Sequence, residues 1–149
     1  MKTIKKIFVA IVITLIFASC KKSIKDQSVL NTIEILSNHE NYNFILVDTV
    51  IEKEFNGTDY VFVISMVEYK FFDGTRKKGY TLTQSIDVNS DIAKNNLKSA
   101  NDEVKEQSKR TGVYTTFDAS GNMSNIIRYL RKSTGLKIQI KNKKRIAVS

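Results

Sequence analysis

The chain of 149 residues has room for one domain and little more. It carries 24 lysine and arginine residues against 15 acidic ones, which gives a formal net charge of +9. Its single cysteine excludes an internal disulfide, and one cysteine with one histidine cannot build a Cys/His zinc site. A hydrophobic fraction of 42% with 26% charged residues is typical of a globular protein and excludes a disordered chain.

The start of the chain predicts a secretion signal. Three lysines among the first six residues are followed by residues 7–18, an uncharged and nearly all apolar run of twelve. In a helix, twelve residues cover about 18 Å, which is too short for the ~30 Å hydrocarbon core of a bilayer. A buried core helix would need a polar face, and this run has none. We therefore interpret residues 1–19 as a signal peptide rather than a transmembrane anchor.

The residues around Cys20 indicate which kind of signal this is. Phe17-Ala18-Ser19-Cys20 places two small residues directly before the cysteine and resembles the lipobox of bacterial lipoproteins, although that family prefers leucine where Phe17 stands. The resemblance implies that a diacylglyceryl group is attached to the Cys20 thiol and that cleavage makes Cys20 the first residue of the mature protein. Acyl chains anchor a protein well because each buried methylene contributes about 0.8 kcal/mol.

The residues after the cysteine bear on the location of the protein. Lys21 and Lys22 stand where, in lipoproteins, an aspartate is associated with retention in the inner membrane. The resemblance therefore implies the outer membrane in an envelope with two membranes, and the outer face of the cytoplasmic membrane in an envelope with one. We expect residues 20–26 to be the lipidated cysteine and a short tether. Six residues reach at most ~20 Å, so the domain would stay close to the lipid surface.

The remaining chain, residues 27–149, is predicted to be a single α+β domain. Apolar residues at helical spacing, among them Ile33 and Leu36, predict a short helix that ends near Asn38. Three strands follow, at residues 44–55, 58–72 and 79–88. The pairs between them, Asn56-Gly57 and Asp73-Gly74, are strong type I′ hairpin signals, so these strands are expected to form an antiparallel meander.

Two-residue turns in both hairpins would fix the register of the meander. The predicted pairs are Ile51–Phe62, Val50–Val63, Val67–Tyr80, Ser65–Leu82 and Val61–Ile86. One face of the sheet then collects Phe44, Leu46, Val50, Val61, Val63, Val67, Tyr69, Tyr80, Leu82 and Ile86. The opposite face stays apolar on its first two strands, at Ile45, Val47, Ile51, Phe62, Ile64 and Met66. A bare patch of that size is unusual, so we expect the first helix to cover it; a partner protein is the alternative.

The second half of the mature chain mixes helices and strands. Asn89 or Ser90 can cap a helix of about twenty residues. A strand over residues 113–117, a turn over 118–121 and a helix that stops at Gly135 follow. The buried side of that helix carries Met123, Ile126, Ile127 and Leu130. Residues 136–141 alternate as a strand before a last short strand. We therefore predict an antiparallel three-stranded meander with helices packed on it, followed by a C-terminal β-α-β segment.

The residues that could carry catalysis do not form a recognisable site. His39, the single histidine, follows the first helix and is most simply a solvated turn residue, and acylation removes Cys20 as a nucleophile. Two carboxylate pairs, Glu52/Glu54 and Asp102/Glu103, would have to converge in a cleft for acid–base catalysis. Residues 118–122 look like part of a calcium loop but lack its other acidic ligands, so we interpret them as a turn and helix cap. We predict no catalytic residue, metal ligand or cofactor.

The positive charge is concentrated in the last 31 residues of the chain. Residues 119–149 contain eight basic side chains and no acid, whereas residues 20–118 contain 13 basic and 15 acidic side chains. The eight are Arg128, Arg131, Lys132, Lys137, Lys141, Lys143, Lys144 and Arg145. On the predicted helix and strand they lie away from the apolar side, so they can form one basic surface. A solvated face without a ligand is the alternative interpretation.

The two features together give the predicted function. We expect an envelope lipoprotein, held at the membrane by its N-terminal lipid, that acts as a non-enzymatic binding or accessory module. Its basic surface would contact anionic lipid headgroups, another anionic envelope component or an acidic envelope protein. Nucleic acid is not expected because the protein is predicted to be exported. The alternative is a small envelope enzyme that acts on a glycan through paired carboxylates.

Overall fold

Ten elements follow one another in the computed structural model, which describes residues 22–148. They are α1 (Ile24–Asn38), β1 (Tyr42–Phe55), β2 (Thr58–Lys70), β3 (Arg76–Asp87), α2 (Asp91–Leu97), α3 (Asp102–Thr111), β4 (Val113–Gly121), α4 (Met123–Thr134), β5 (Lys137–Lys141) and β6 (Lys144–Val148). Strands β1–β4 form an antiparallel sheet in chain order, and β5 and β6 form a separate antiparallel hairpin. The predicted α+β fold class is confirmed. The predicted signal peptide, residues 1–19, and Cys20 lie outside the described residues.

The β1–β2 hairpin forms as the sequence predicts. Asn56 and Gly57 have φ angles of 51° and 78°, the left-handed pair that a type I′ turn requires. Ile51 accordingly pairs with Phe62, and Val50 pairs with Val63, so the register predicted for this hairpin is confirmed.

The turn between β2 and β3 is one residue longer than predicted. The amide of Phe71 donates to the carbonyl of Thr75, and the amide of Gly74 donates to the carbonyl of Phe71, both at 3.0 Å. The loop therefore holds three residues rather than two and ends at Gly74, whose φ of 82° is left-handed. A loop with one more residue moves every later pairing by one position.

The changed register sorts the sheet into two chemically different faces. The predicted pairs Val67–Tyr80, Ser65–Leu82 and Val61–Ile86 are replaced by Val67–Gly79, Ser65–Thr81 and Val61–Ser85. Because side chains alternate along a strand, this slip moves Leu82 and Ile86 to the face that carries Phe62 and Ile64. The single apolar face predicted from the sequence is therefore wrong.

The apolar face of the sheet is covered by α4 and the β5–β6 hairpin. Its buried cluster consists of Ile51, Phe62, Ile64, Leu82, Ile126, Leu130 and Leu136, with Ile138 and Ala147 packed against it. The sequence analysis assigned the cover of Phe62 and Ile64 to the first helix, and this assignment is wrong. The helix that follows the fourth strand covers them instead.

Helix α1 lies on the other face of the sheet, where buried valines of β2 lie beside hydroxyl-bearing side chains of β3. The hydroxyls of Thr32 and Thr83 share a hydrogen bond of 2.7 Å, and the side-chain amide of Asn31 donates to the hydroxyl of Thr115 at 2.8 Å. Leu36 adds a fully buried apolar side chain to this interface. The helix ends at Asn38 as predicted but begins at Ile24, after its N-cap Ser23, so residues 24–26 belong to the helix and not to the predicted tether.

Two further boundaries differ from the prediction. The helix of about twenty residues is two helices, because the side chain of Asn101 caps α3 by accepting from the amide of Val104 at 2.9 Å. The predicted turn over residues 118–121 continues β4, which pairs with β3 and joins the main sheet. Asp118 is the extra residue of a bulge there, since Leu82 and Thr83 pair with Ala119 and Phe117.

Candidate binding surfaces

Helix α4 presents the first three residues of the predicted basic surface. Asn122 caps the helix by accepting from the amide of Asn125 at 2.9 Å, and Gly135 ends it with a φ of 72°. Ile126 and Leu130 are fully buried and fix which side of the helix faces the core. The exposed basic side chains of this helix are Arg128, Arg131 and Lys132. The last two lie in its final turn, where the helix dipole favours cations.

The β5–β6 hairpin presents four more. Asn142 and Lys143 have φ angles of 52° and 64°, so the hairpin closes with a type I′ turn. Ile138 pairs with Ala147, and both pack on the core. Lys137, Lys141 and Lys144 occupy the opposite, exposed face, and Lys143 is exposed in the turn.

Arg145 is not available as part of an open surface. It pairs with Ile140 on the core-facing side of the hairpin, and its guanidinium donates to both carboxylate oxygens of Asp48 on β1. The side chains of Arg145 and Asp48 are only 26% and 14% exposed. The guanidinium also lies 6.0 Å from the ring centre of Tyr80. This residue fastens the hairpin to the sheet.

The two carboxylate pairs considered for catalysis lie on different elements. Glu52 and Glu54 are exposed on β1 and line a groove of about 400 Å³ together with Lys25 and Asp59. Asp102 and Glu103 occupy the first turn of α3, where carboxylates favour the helix dipole. Within residues 22–148 there is no group of three or more His, Cys, Asp or Glu side chains that could hold a metal ion.

His39 lines a cleft between α1 and α3. The cleft has a volume of about 590 Å³ and is also lined by Glu34, Arg110 and Phe117. Nδ1 of His39 accepts a hydrogen bond from the amide of Asn41 at 3.2 Å, which makes it a turn residue. The guanidinium of Arg110 donates to both oxygens of Glu34, at 2.5 and 3.3 Å. Glu34 and Arg110 are thus paired with each other, whereas Glu103 and Glu106, which also line the cleft, take part in none of the ion pairs among residues 22–148.

Asp118 has an unusual environment for a carboxylate. Burial raises its pKa above the ordinary value, and the hydroxyl of Thr116, which donates to it at 2.8 Å, opposes that shift. Burial raises the pKa of the nearby Tyr129, and the negative charge of Asp118 adds to that shift. The predicted helix cap in this segment is Asn122, as described above, whereas Asp118 lies in a strand bulge.

The tip of the β2–β3 hairpin was missed by the sequence analysis. Phe72 is fully exposed, and Phe71 is 51% exposed. Four exposed cations flank the pair, and they are Lys70, Arg76, Lys77 and Lys78. We call these six residues, with residues 73–75 between them, the β2–β3 tip. The sequence does show two adjacent phenylalanines followed by Asp-Gly, with cations on both sides. The sequence analysis assigned both phenylalanines to the strand over residues 58–72 and therefore did not treat them as an exposed loop.

Known proteins add no guide to the role of these surfaces. Among residues 22–148, no helix is both long and apolar enough to cross a membrane. A comparison with protein-family models, with curated proteins and with solved structures finds no match to this chain. An inference about function therefore depends on the side chains themselves.

Proposed function

We propose that this protein is a lipid-anchored envelope lipoprotein that acts as a non-enzymatic binding or accessory module. The anchor is Cys20, and the contact is the basic surface of α4 and the β5–β6 hairpin. That surface consists of Arg128, Arg131, Lys132, Lys137, Lys141, Lys143 and Lys144. The carrying observation is that all seven side chains are exposed in a segment, residues 119–149, that contains no acid.

The chemistry of this surface favours an anionic ligand. Ile126, Leu130 and Ile138 pack toward the core, so the cations on the same elements face solvent. These elements carry no carboxylate that would neutralise the positive charge. A basic residue at an anionic lipid surface contributes about 1 kcal/mol. Anionic lipid headgroups, phosphorylated envelope polymers and acidic proteins all fit this surface, and all are accessible to an exported protein.

The positions of the carboxylates support a binding role over the glycan-hydrolysing alternative. An acid–base pair needs two carboxyl groups facing each other across a cleft. Glu52 and Glu54 lie on an exposed stretch of one strand, and Asp102 and Glu103 lie side by side at the start of one helix. Both arrangements suit solvation and helix capping better than catalysis.

The anchor is tested by acyl labelling of the full chain and of its Cys20→Ser variant. Because the thiol is the only cysteine side chain available for lipidation, we expect label on the wild-type protein and none on the variant. Membrane fractionation of the wild-type protein should recover the label with the membranes. An unlabelled wild-type protein in the cytoplasm would contradict export and return nucleic acid as the first ligand to test.

The basic surface is tested with a triple variant of the soluble segment 21–149. The changes are Lys141→Gln, Lys143→Gln and Lys144→Gln. At low salt, binding to phosphatidylglycerol vesicles and to isolated envelope fractions should weaken by about fivefold for each lysine removed. The matched control removes the same charge from α2 and α3 through Lys94→Gln, Lys105→Gln and Lys109→Gln. Equal binding by the wild-type segment and the first variant would remove this surface from the proposal.

A further inference from the structure

The β2–β3 tip combines two exposed phenylalanines with four exposed cations. Phe71 and Phe72 project from the end of a hairpin, where Phe72 is fully exposed and Phe71 is half exposed. Single exposed apolar residues are common, but adjacent aromatic side chains at the end of a projecting loop form a contact patch. The surrounding cations make the patch amphipathic.

The tip is a formed structure and not a loose end. Oδ1 of Asp73 accepts from the amide of Thr75 at 2.9 Å and from its hydroxyl at 2.6 Å. The amide of Phe71 and the amide of Gly74 are both bonded across the loop at 3.0 Å. A preorganised loop loses little conformational entropy when it binds, so the exposed phenylalanines are ready for contact.

The cations surround the phenylalanines on both sides of the ribbon. Lys70 pairs with Arg76, Tyr69 with Lys77 and Glu68 with Lys78. Because side chains alternate, Arg76 and Lys78 lie on one face of the ribbon and Lys77 lies on the other. The guanidinium of Arg76 lies 3.6 Å from a carboxylate oxygen of Glu68, so the positive charge of Arg76 is partly neutralised. Four cations against the two carboxylates of this ribbon, Glu68 and Asp73, still leave it positive.

We propose that the β2–β3 tip is a second membrane contact, in which Phe71 and Phe72 enter the interface of an anionic bilayer and the flanking cations bind its headgroups. Aromatic side chains favour the interfacial region, and basic residues beside them are attracted to anionic lipids. Charge complementarity selects a lipid surface rich in phosphate groups over a neutral one. This contact uses none of the residues of the basic surface proposed above.

The location of the tip has a geometric consequence that does rest on the proposed anchor. Ser23 and Ile24 share a groove with Glu54 and Asp59, so α1 begins beside the β1–β2 turn. That turn and the β2–β3 tip are at opposite ends of β2, whose 13 residues span about 40 Å. An anchor at one end and the tip at the other would lay the domain along the membrane with β2 parallel to the bilayer plane.

The test uses a tryptophan introduced into the full chain, which has none of its own. The Phe72→Trp variant is reconstituted into vesicles of phosphatidylglycerol and phosphatidylcholine, with bromine on the acyl chains as quencher. Where Cys20 is not acylated, its thiol, the single thiol of the chain, is coupled to a maleimide-bearing lipid. The chain then stays on the vesicles in either case, so this test and the anchor test can fail separately. We expect blue-shifted emission and quenching at position 72. Phe117→Trp, in the cleft between α1 and α3, should stay unquenched.

A second comparison tests the role of charge. In the Phe72→Trp chain, the changes Lys70→Gln, Lys77→Gln and Lys78→Gln should reduce quenching in anionic vesicles severalfold, whereas Lys94→Gln, Lys105→Gln and Lys109→Gln should leave it unchanged. Water-like emission at position 72 in chains that float with the vesicles overturns the proposal. Equal quenching in neutral vesicles overturns its electrostatic part. A dimer in lipid-free solution that Phe72→Ser converts to a monomer would also overturn it, because the tip would then contact a second copy.

Discussion

Tyr69 is the residue that ties three strands together at one corner of the sheet. Its hydroxyl donates to the carbonyl of Tyr80 at 2.7 Å and accepts from the amide of Gly121 at 2.8 Å. Its ring crosses Gly79, where a Cβ atom would lie 2.2 Å from the nearest ring carbon. Glycine at position 79 is therefore required by close approach rather than by a turn. Burial of the phenol raises the pKa of Tyr69.

Asp118 is the residue whose charge state should most clearly affect stability. Burial without an ion pair raises its pKa in the folded protein, so the folded state favours the protonated carboxyl. At neutral pH the ionised carboxylate therefore lowers the free energy of unfolding of the wild-type protein. This loss of stability disappears as the pH falls through the raised pKa toward the unfolded value of about 3.9.

We predict that Asp118→Asn increases the free energy of unfolding at pH 7 by up to about 1 kcal/mol, because partial solvent access limits the cost it removes. The asparagine oxygen can still accept from Thr116. Urea unfolding of both proteins between pH 4 and pH 8 measures the difference, which should shrink toward pH 4. A difference that stays constant across this range would show that the charge of Asp118 is not its source.

At the scale of elements, the β5–β6 hairpin is held by an ion pair as well as by apolar contacts. Arg145 reaches Asp48 across 97 positions of sequence, and both side chains are largely shielded from solvent. Hydrogen bonds to charged groups contribute about 1.5–3 kcal/mol when they are shielded in this way.

We predict that Arg145→Gln lowers the free energy of unfolding by about 2 kcal/mol, because it leaves the Asp48 carboxylate without its partner. Lys144→Gln, which removes a neighbouring exposed charge, should change it by less than about 0.5 kcal/mol. Urea unfolding of both variants is the measurement. If Arg145→Gln in an Asp48→Asn background costs as much as in the wild type, the two side chains are not coupled.

The sequence predicts the helices and strands better than it predicts their register and packing. The Asn56-Gly57 turn was predictable because a type I′ turn needs two left-handed residues, and that pair adopts them readily. The Asp73-Gly74 signal fits a two-residue or a three-residue loop equally well, and that one residue decides which face Leu82 joins. In the same way, Lys137 and Lys141 follow from local alternation. The partner of Arg145 does not, because it lies on a distant strand.

At the scale of the whole molecule, the two faces of the sheet carry two different kinds of chemistry. The α4 side is closed by aliphatic and aromatic packing. The α1 side combines the buried valines of β2 with small polar residues, which include Ser28, Asn31, Thr32, Ser65, Thr81, Thr83 and Ser85, all buried. Among the described residues, Asn31 Oδ1, Ser65 Oγ and Thr81 Oγ1 have no hydrogen-bond partner. The α1 side of the sheet is thus the one whose buried polar groups are less completely hydrogen-bonded.

The hydroxyl groups of β3 and β4 that contact α1 also bear on the order in which the elements fold. The partners of Thr32 and Asn31 lie 51 and 84 residues further along the chain, on β3 and β4. Closing loops of that length is slow compared with forming a neighbouring hairpin, and short polar side chains offer little drive for early collapse. Helix α1 is synthesised before every strand it contacts. We nevertheless expect it to complete its docking only after β3 and β4 have assembled the hydroxyl groups that receive it.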